Sequence, residues 1–271
     1  MKDFLTFYAM VRKQLIVMTR YPINFVSSFA QVFLIMFMII VAMSLFTGRG
    51  SGSGIGNLGG TIMFGFVLFM FLSDTLWTIG YNIRWEQVQG TIESLYLSPA
   101  SKFASLVSRV TVSLVWTGLN CVAALVFVTY VAGALPYENT GLAAYILVLS
   151  LSGTFGMGFA FAAFTLVARE SANLAANAFQ FTFMGLCAMF FPFSVLPKEV
   201  LYISKVIPLS YCVDAFRSTL MGYPDGFPEL LPIEAEIVIV TAFGLLMPVI
   251  GYGLYKIAEK KARIRGSLGE Y

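Results

Sequence analysis

The chain has 271 residues, 58% of them hydrophobic and only 11% charged, where a soluble domain carries roughly 25% charged residues. That balance excludes an ordinary soluble fold and places the chain in a membrane, while a formal net charge of +3, with no basic cluster interleaved with aromatics, argues against a nucleic-acid partner. Histidine is absent and the three cysteines, Cys121, Cys187 and Cys212, fall on separate elements, which argues against a haem between helices, a metal site and a disulfide framework.

Residues 1–21 read as an amphipathic helix, with Phe4, Tyr8, Val11, Leu15 and Met18 on one side and Asp3, Thr6, Lys13 and Arg20 toward the other. Such a helix lies in the membrane interface, and Pro22 breaks it where the first span begins. Six apolar windows follow, over 22–46, 58–80, 103–134, 141–168, 172–191 and 233–256, each long enough to cross the hydrocarbon as a helix. The ten-residue alternating segments of a transmembrane barrel do not occur. The expected fold class is therefore an all-α membrane protein with six transmembrane helices, one domain over 1–271.

The first connection, T-G-R-G-S-G-S-G-I-G-N-L-G-G at 47–60, is a flexible loop by composition. Its formal G-x-G-x-x-G at 54–59 lacks the preceding strand and βαβ unit that a dinucleotide site needs, and no G-x-x-x-x-G-K-[ST] occurs anywhere. The chain thus carries no nucleotide motif of its own. Span two holds Asp74 and span three Arg109, each roughly seven residues from the inner end of its span, or about 10 Å deep. Opposite charges at one depth on consecutive spans are expected to pair.

Between those spans lies R-W-E-Q-V-Q-G-T-I-E-S-L-Y-L-S-P at 84–99, a polar island of about four helical turns flanked by long apolar runs. With Arg84, Glu86, Gly90, Thr91 and Glu93, it reads as a charged helix left outside the hydrocarbon for another protein to grip. Span four carries Ser152, Gly156 and Ala160 at small-xxx-small spacing, which lets helix backbones approach closely in lipid. Polar stripes recur at helical spacing on span one (Asn24, Ser27, Ser28, Gln31) and span five (Asn173, Asn177, Gln180). They serve either interhelical hydrogen bonding or a polar track along a transport path, and the two uses are compatible.

Residues 192–222 offer two short helices rather than a loop. Pro197 and Pro208 suit first turns and Gly222 suits an exit, while Asp214 and Arg217, three apart, are placed to pair. These helices are expected to dip into the outer leaflet edge. Orientation follows from the basic residues: with the N-terminus inside, only Arg49, Lys198, Lys205 and Arg217 of the 17 Lys and Arg residues fall outside. Both termini are then cytoplasmic in a multi-pass plasma-membrane protein.

An interfacial N-terminal helix, a charged cytoplasmic helix after span two and paired short external helices before span six occur here in that order. With E-Q-V-Q-G-T-I-E-S-L-Y-L-S-P-A-S-K at 86–102, Arg109, and F-P-F-S-V-L-P followed by I-P-L-S-Y-C-V-D-A-F-R-S-T-L-M-G, the chain resembles the membrane subunits of type 2 ATP-binding-cassette exporters, particularly the daunorubicin-exporter-like group. Lys102 stands where that family often has Arg, which keeps the charge. The resemblance implies a permease that pairs with a second copy and docks separate ATPase subunits, which bind ATP and Mg; the permease itself has no cofactor and no catalytic residue. It further implies that 84–99 contains the coupling helix. It implies a cargo path lined by Gln31, Asn177, Gln180, Phe181 and Met184, and an external gate over 192–222 that includes Pro192, Pro197, Pro208, Asp214 and Arg217. Phe and Met suit amphiphilic cargo. A polysaccharide or lipid-linked glycan permease is the alternative within the class. Other classes are an ion-coupled secondary transporter, which Asp74 supports only thinly, and a non-transporting membrane assembly subunit.

Overall fold

The computed structural model describes residues 7–9, 11–13, 16, 20, 22–46, 52–81, 102–132, 137–168 and 171–264. Among them there is no strand. Residues 7–9 and 11–13 are helical, with Tyr8 exposed. The long helices are α1 (Pro22–Phe46), α2 (Gly52–Thr75, continued by a π-helix at Leu76–Tyr81), α3 (Lys102–Ala132), α4 (Thr140–Ala168), α5 (Ala172–Leu186) and α8 (Ile233–Ile264). A 3₁₀ turn at Phe193–Val195 and two short helices, α6 (Lys198–Val206) and α7 (Pro208–Leu220), lie between α5 and α8.

Four stretches are long and apolar enough to cross a membrane: Gly59–Thr78, Thr111–Tyr130, Thr140–Leu166 and Ile233–Lys261, with a shorter apolar stretch at Val26–Met38 in α1. Large apolar side chains point outward from α1 (Val26, Leu34, Phe37), α3 (Val115, Val122, Val126) and α8 (Leu245, Val249). A soluble fold would bury such faces; their exposure fits a surface made for lipid or for a second protein. At the centre stands α2, with Phe64, Phe66, Leu68 and Leu72 buried and 67% of its apolar window inside the protein, against 22% for α8. It meets α3, α4 and α7 directly.

The most extensive helix pair is α4 with α8, and its chemistry is the small-residue spacing seen in the sequence. A Cβ at Gly156 would overlap the backbone of Met247 and Pro248, and one at Gly251 would overlap the Gly156 carbonyl. The two backbones touch because neither has a side chain in the way. Pro248, inside α8, has no N–H to give the carbonyl of Gly244 one turn back. Ser152 Oγ donates to that carbonyl across the seam at 2.7 Å. An orphan created by proline in one helix is thus satisfied by a hydroxyl on its neighbour.

Span five differs from its sequence reading. The apolar run continues to Phe191, but α5 stops at Leu186, and Ala188 adopts a left-handed φ of 47°. The stop depends on tertiary partners for the freed carbonyls, described below.

Candidate functional site

At the end of the bundle that carries α6 and α7, here termed the cap end, the backbone between 186 and 231 leaves helical geometry repeatedly. Inside a membrane protein each such break exposes carbonyls and amides that need partners. Cap side chains supply them. Ser204 Oγ donates to the carbonyl of Leu186, the last residue of α5, at 2.6 Å. Arg217 Nη2 donates to the carbonyls of Ala188 and Met189, both at 2.7 Å, and Nη1 to Phe191 at 3.2 Å. Glu229 accepts from the amides of Phe193 and Ser194 at 3.0 and 2.6 Å. Asp214 Oδ2 accepts from the amides of Glu229 and Leu230, each at 2.8 Å, and Glu236 Oε1 from that of Leu231 at 3.3 Å.

Asp214 and Arg217 therefore do not spend their charges on each other as their i,i+3 spacing suggests. Asp214 holds the loop that leads to α8, while Arg217 holds the exit of α5. Both are fully buried. Burial raises the Asp214 carboxyl above its ordinary range, opposed chiefly by the Leu230 amide. It lowers Arg217 to about 10, with Asp214 working the other way, so the guanidinium stays charged at neutral pH.

The prolines and glycine act where the sequence places them. Pro197 precedes α6, and Pro208 occupies the first turn of α7, where its missing N–H costs nothing. Gly222 has φ 72°, and the Tyr223 amide reaches back to the Ser218 carbonyl at 3.0 Å, closing α7 with a left-handed cap. Pro192 is extended ahead of the 3₁₀ turn. Every residue of α7 from Leu209 to Leu220 is buried, packed against α4, α8 and α2. The exposed helix is α6, with Lys198, Tyr202, Lys205 and Val206 on its surface.

The polar stripes divide into residues that bond across helices and residues that do not. Ser28 Oγ donates to Asn120 Oδ1 across the α1–α3 contact at 3.4 Å, and Trp77 Nε1 donates to Gln180 Oε1 at 2.9 Å, joining the π-helix of span two to α5. Both are interhelical glue. The Asn177 amide instead bonds within its own helix, to Asn173 one turn back. Gln31 and Phe181 are exposed, and Met184 is half-buried. Within one copy the principal contact of α1 is with α3, whereas α5 meets α2, its π-helix, α4 and α6. The five path residues thus sit on two separate elements.

Asp74 receives the hydroxyls of Ser113 and Thr78, and Thr78 and Ser113 lie 2.9 Å apart. Ser113 is one turn beyond Arg109 on α3, whose side chain lies outside the described residues. So do Arg84, Glu86, Gly90, Thr91 and Glu93, the whole of 84–99. Sequence reasoning missed Ser113, Glu229, Glu236 and Gly65 as site residues; for Glu229 the only available signal was an acid in a proline-bounded loop.

A family model described as ABC-2 type transporter matches residues 6–221, from the N-terminal segment to the end of α7. The chain belongs to this family. No curated protein sequence matches it. As an ABC-2 transporter membrane domain, the chain is a multi-pass permease subunit, and the family implies an ABC ATPase as its partner.

Proposed function

We propose that this ABC-2 permease exports amphiphilic, drug-like or lipid-like cargo as two copies of the chain working with two separate ATPase subunits. The observation that carries the reading is the surface of α5. Phe181 is 57% exposed and Met184 half-exposed, beside Asn177, whose amide bonds go only to its own helix. A stripe used purely for packing would spend that amide on a neighbour. An apolar surface with a few polar groups suits a cargo that is itself mixed. Gln31 on α1 would complete the path from the second copy, because α1 and α5 of one copy do not pack extensively together.

The cap end, carrying Lys198 and Lys205, would face outside and both termini would lie in the cytoplasm of the cell. The segment 84–99 would then dock the ATPase, which binds ATP and Mg, since this chain has no nucleotide motif. Without its ATPase the chain hydrolyses nothing.

Co-expression with candidate ATPase subunits and reconstitution test this directly. The expected outcome is a two-plus-two complex whose ATP hydrolysis rises with amphiphilic cargo, and which loses that stimulation, but not membrane insertion, when Glu86 or Glu93 is changed to Lys. A monomeric chain that captures no ATPase rejects the proposal, and stimulation by lipid-linked glycans alone replaces its cargo class.

A further inference from the structure

Three elements meet at Arg217. Its guanidinium holds the carbonyls of Ala188, Met189 and Phe191 in the turn after α5. Against the same point lies Gly65 of α2, where any Cβ would overlap both the Met189 carbonyl oxygen and Arg217 Nη2. Glycine alone lets span two close on that pair. Further contacts between the same three elements lie beside the junction. Phe64 of α2 packs edge-on to Phe216 of α7, with centroids 6.2 Å apart; Phe66 and Phe69 of α2 pack on Phe190 at 6.1 and 5.2 Å; and Thr61 Oγ1 lies 3.7 Å from Met221 Sδ.

We propose that this junction is a clasp: Arg217 is a positioning residue that holds α2, the exit of α5 and α7 as one rigid body throughout the transport cycle. This rests on the exporter reading above. Separating α7 from the exit of α5 would strip a buried cation of its three acceptors, and parting α2 from either would undo the close approach at Gly65 and the packing of Phe66 and Phe69 on Phe190. A rigid-body movement breaks none of these bonds, and packed elements switch as units rather than deform. The consequence for mechanism is specific. The cargo path opens by displacement of this body against a second copy or against α1 and α3, and not by parting α2 from α5 within one copy.

A built Cβ at Gly60 lies 3.5 Å from Met221 Cγ, the place a cysteine sulfur at 221 would occupy. The test uses Gly60→Cys with Met221→Cys in a chain whose native cysteines are replaced by alanine, assembled with its ATPase and reconstituted in lipid. Disulfide formation by copper phenanthroline is timed without nucleotide and after trapping with ATP and vanadate. The clasp predicts the same rate in both states within about twofold, whereas a drop of about tenfold or more in either state, or no crosslink in both, overturns it.

Adding Arg217→Gln should make the rate state-dependent, falling about fivefold or more in the trapped complex, while Arg217→Lys should restore part of the state-independent rate. If Arg217→Gln fails to assemble, Gly65→Ala carries the test, because it forces α2 off the same atoms without removing the charge. Unchanged rates in whichever of these variants assembles would show that Arg217 is not the pin. A complex that hydrolyses no ATP rejects the exporter reading and the clasp with it; one that hydrolyses ATP but crosslinks in only one state rejects the clasp alone.

Discussion

The α4–α8 seam and the cap end solve the same problem with opposite chemistry. Along the seam, two long helices keep their own backbone bonds and need only proximity, which Gly156, Gly251 and Gly244 provide; one serine hydroxyl repairs the single proline defect. At the cap the helices are broken, and the repair falls to Asp214, Arg217, Glu229 and Glu236, acidic or basic groups gripping backbone up to 36 residues away. Continuous helices in lipid associate through absence of side chain; interrupted ones are held by polar side chains that reach the freed backbone. A charge that serves backbone costs less to bury than an isolated one, because backbone partners replace part of its lost hydration, although Arg217 Nε and Glu236 Oε2 find none among the described residues.

That contrast can be broken from either side. The largest effect is expected at the seam from Gly156→Leu, whose side chain has no space against Met247 and Pro248. The loss should exceed the about 1–3 kcal/mol usual for overpacking and appear as near-complete loss of monodisperse protein after detergent extraction. At the cap, Asp214→Ala strands two buried amides, at about 1–3 kcal/mol each. Asp214→Asn keeps an acceptor and should recover much of that in thermal unfolding. Equal losses for Ala and Asn would mean that the charge matters rather than the amide bonds.

Ser152→Ala sharpens the seam, since it should cost about 1–2 kcal/mol by orphaning the Gly244 carbonyl. The additional change Pro248→Ala, which restores an N–H to that carbonyl, should return most of the loss. The smallest effect on stability, about 0.6 kcal/mol, is expected from Trp77→Phe, which deletes the bond to Gln180. Its signature is functional: the cargo range of the reconstituted complex should shift while basal ATP hydrolysis does not.

Much of the seam was legible in the sequence. Ser152, Gly156 and Ala160 announced a close helix contact, although not that its partner would be the final span. The cap was legible in outline, because Pro197, Pro208 and Gly222 act locally and each fixes its own turn. Its bonding was not. The i,i+3 rule pairs Asp214 with Arg217 because it knows only neighbours on one helix, whereas their partners are main-chain groups 15 to 29 residues distant. The early stop of α5 was hidden for the same reason: Phe190 and Phe191 extend the apolar run, and nothing local shows that Arg217 will take the carbonyls there. The polar stripes were half legible, since periodicity identified them but could not say that Gln180 is spent on Trp77 while Asn177 is not.

The shortness of α5 has a consequence for the surrounding bilayer. Its 15 residues rise about 22 Å, short of the roughly 30 Å hydrocarbon thickness. Where α5 ends, the wall of the protein continues as turn backbone and the ends of α6 and α7 rather than as a span. Lipids that reach the cap end of α5 would meet a local mismatch, and acyl chains there would have to thin, tilt or yield to protein. Any part of α5 left to lipid would therefore feel bilayer thickness more than the 32-residue α8 does.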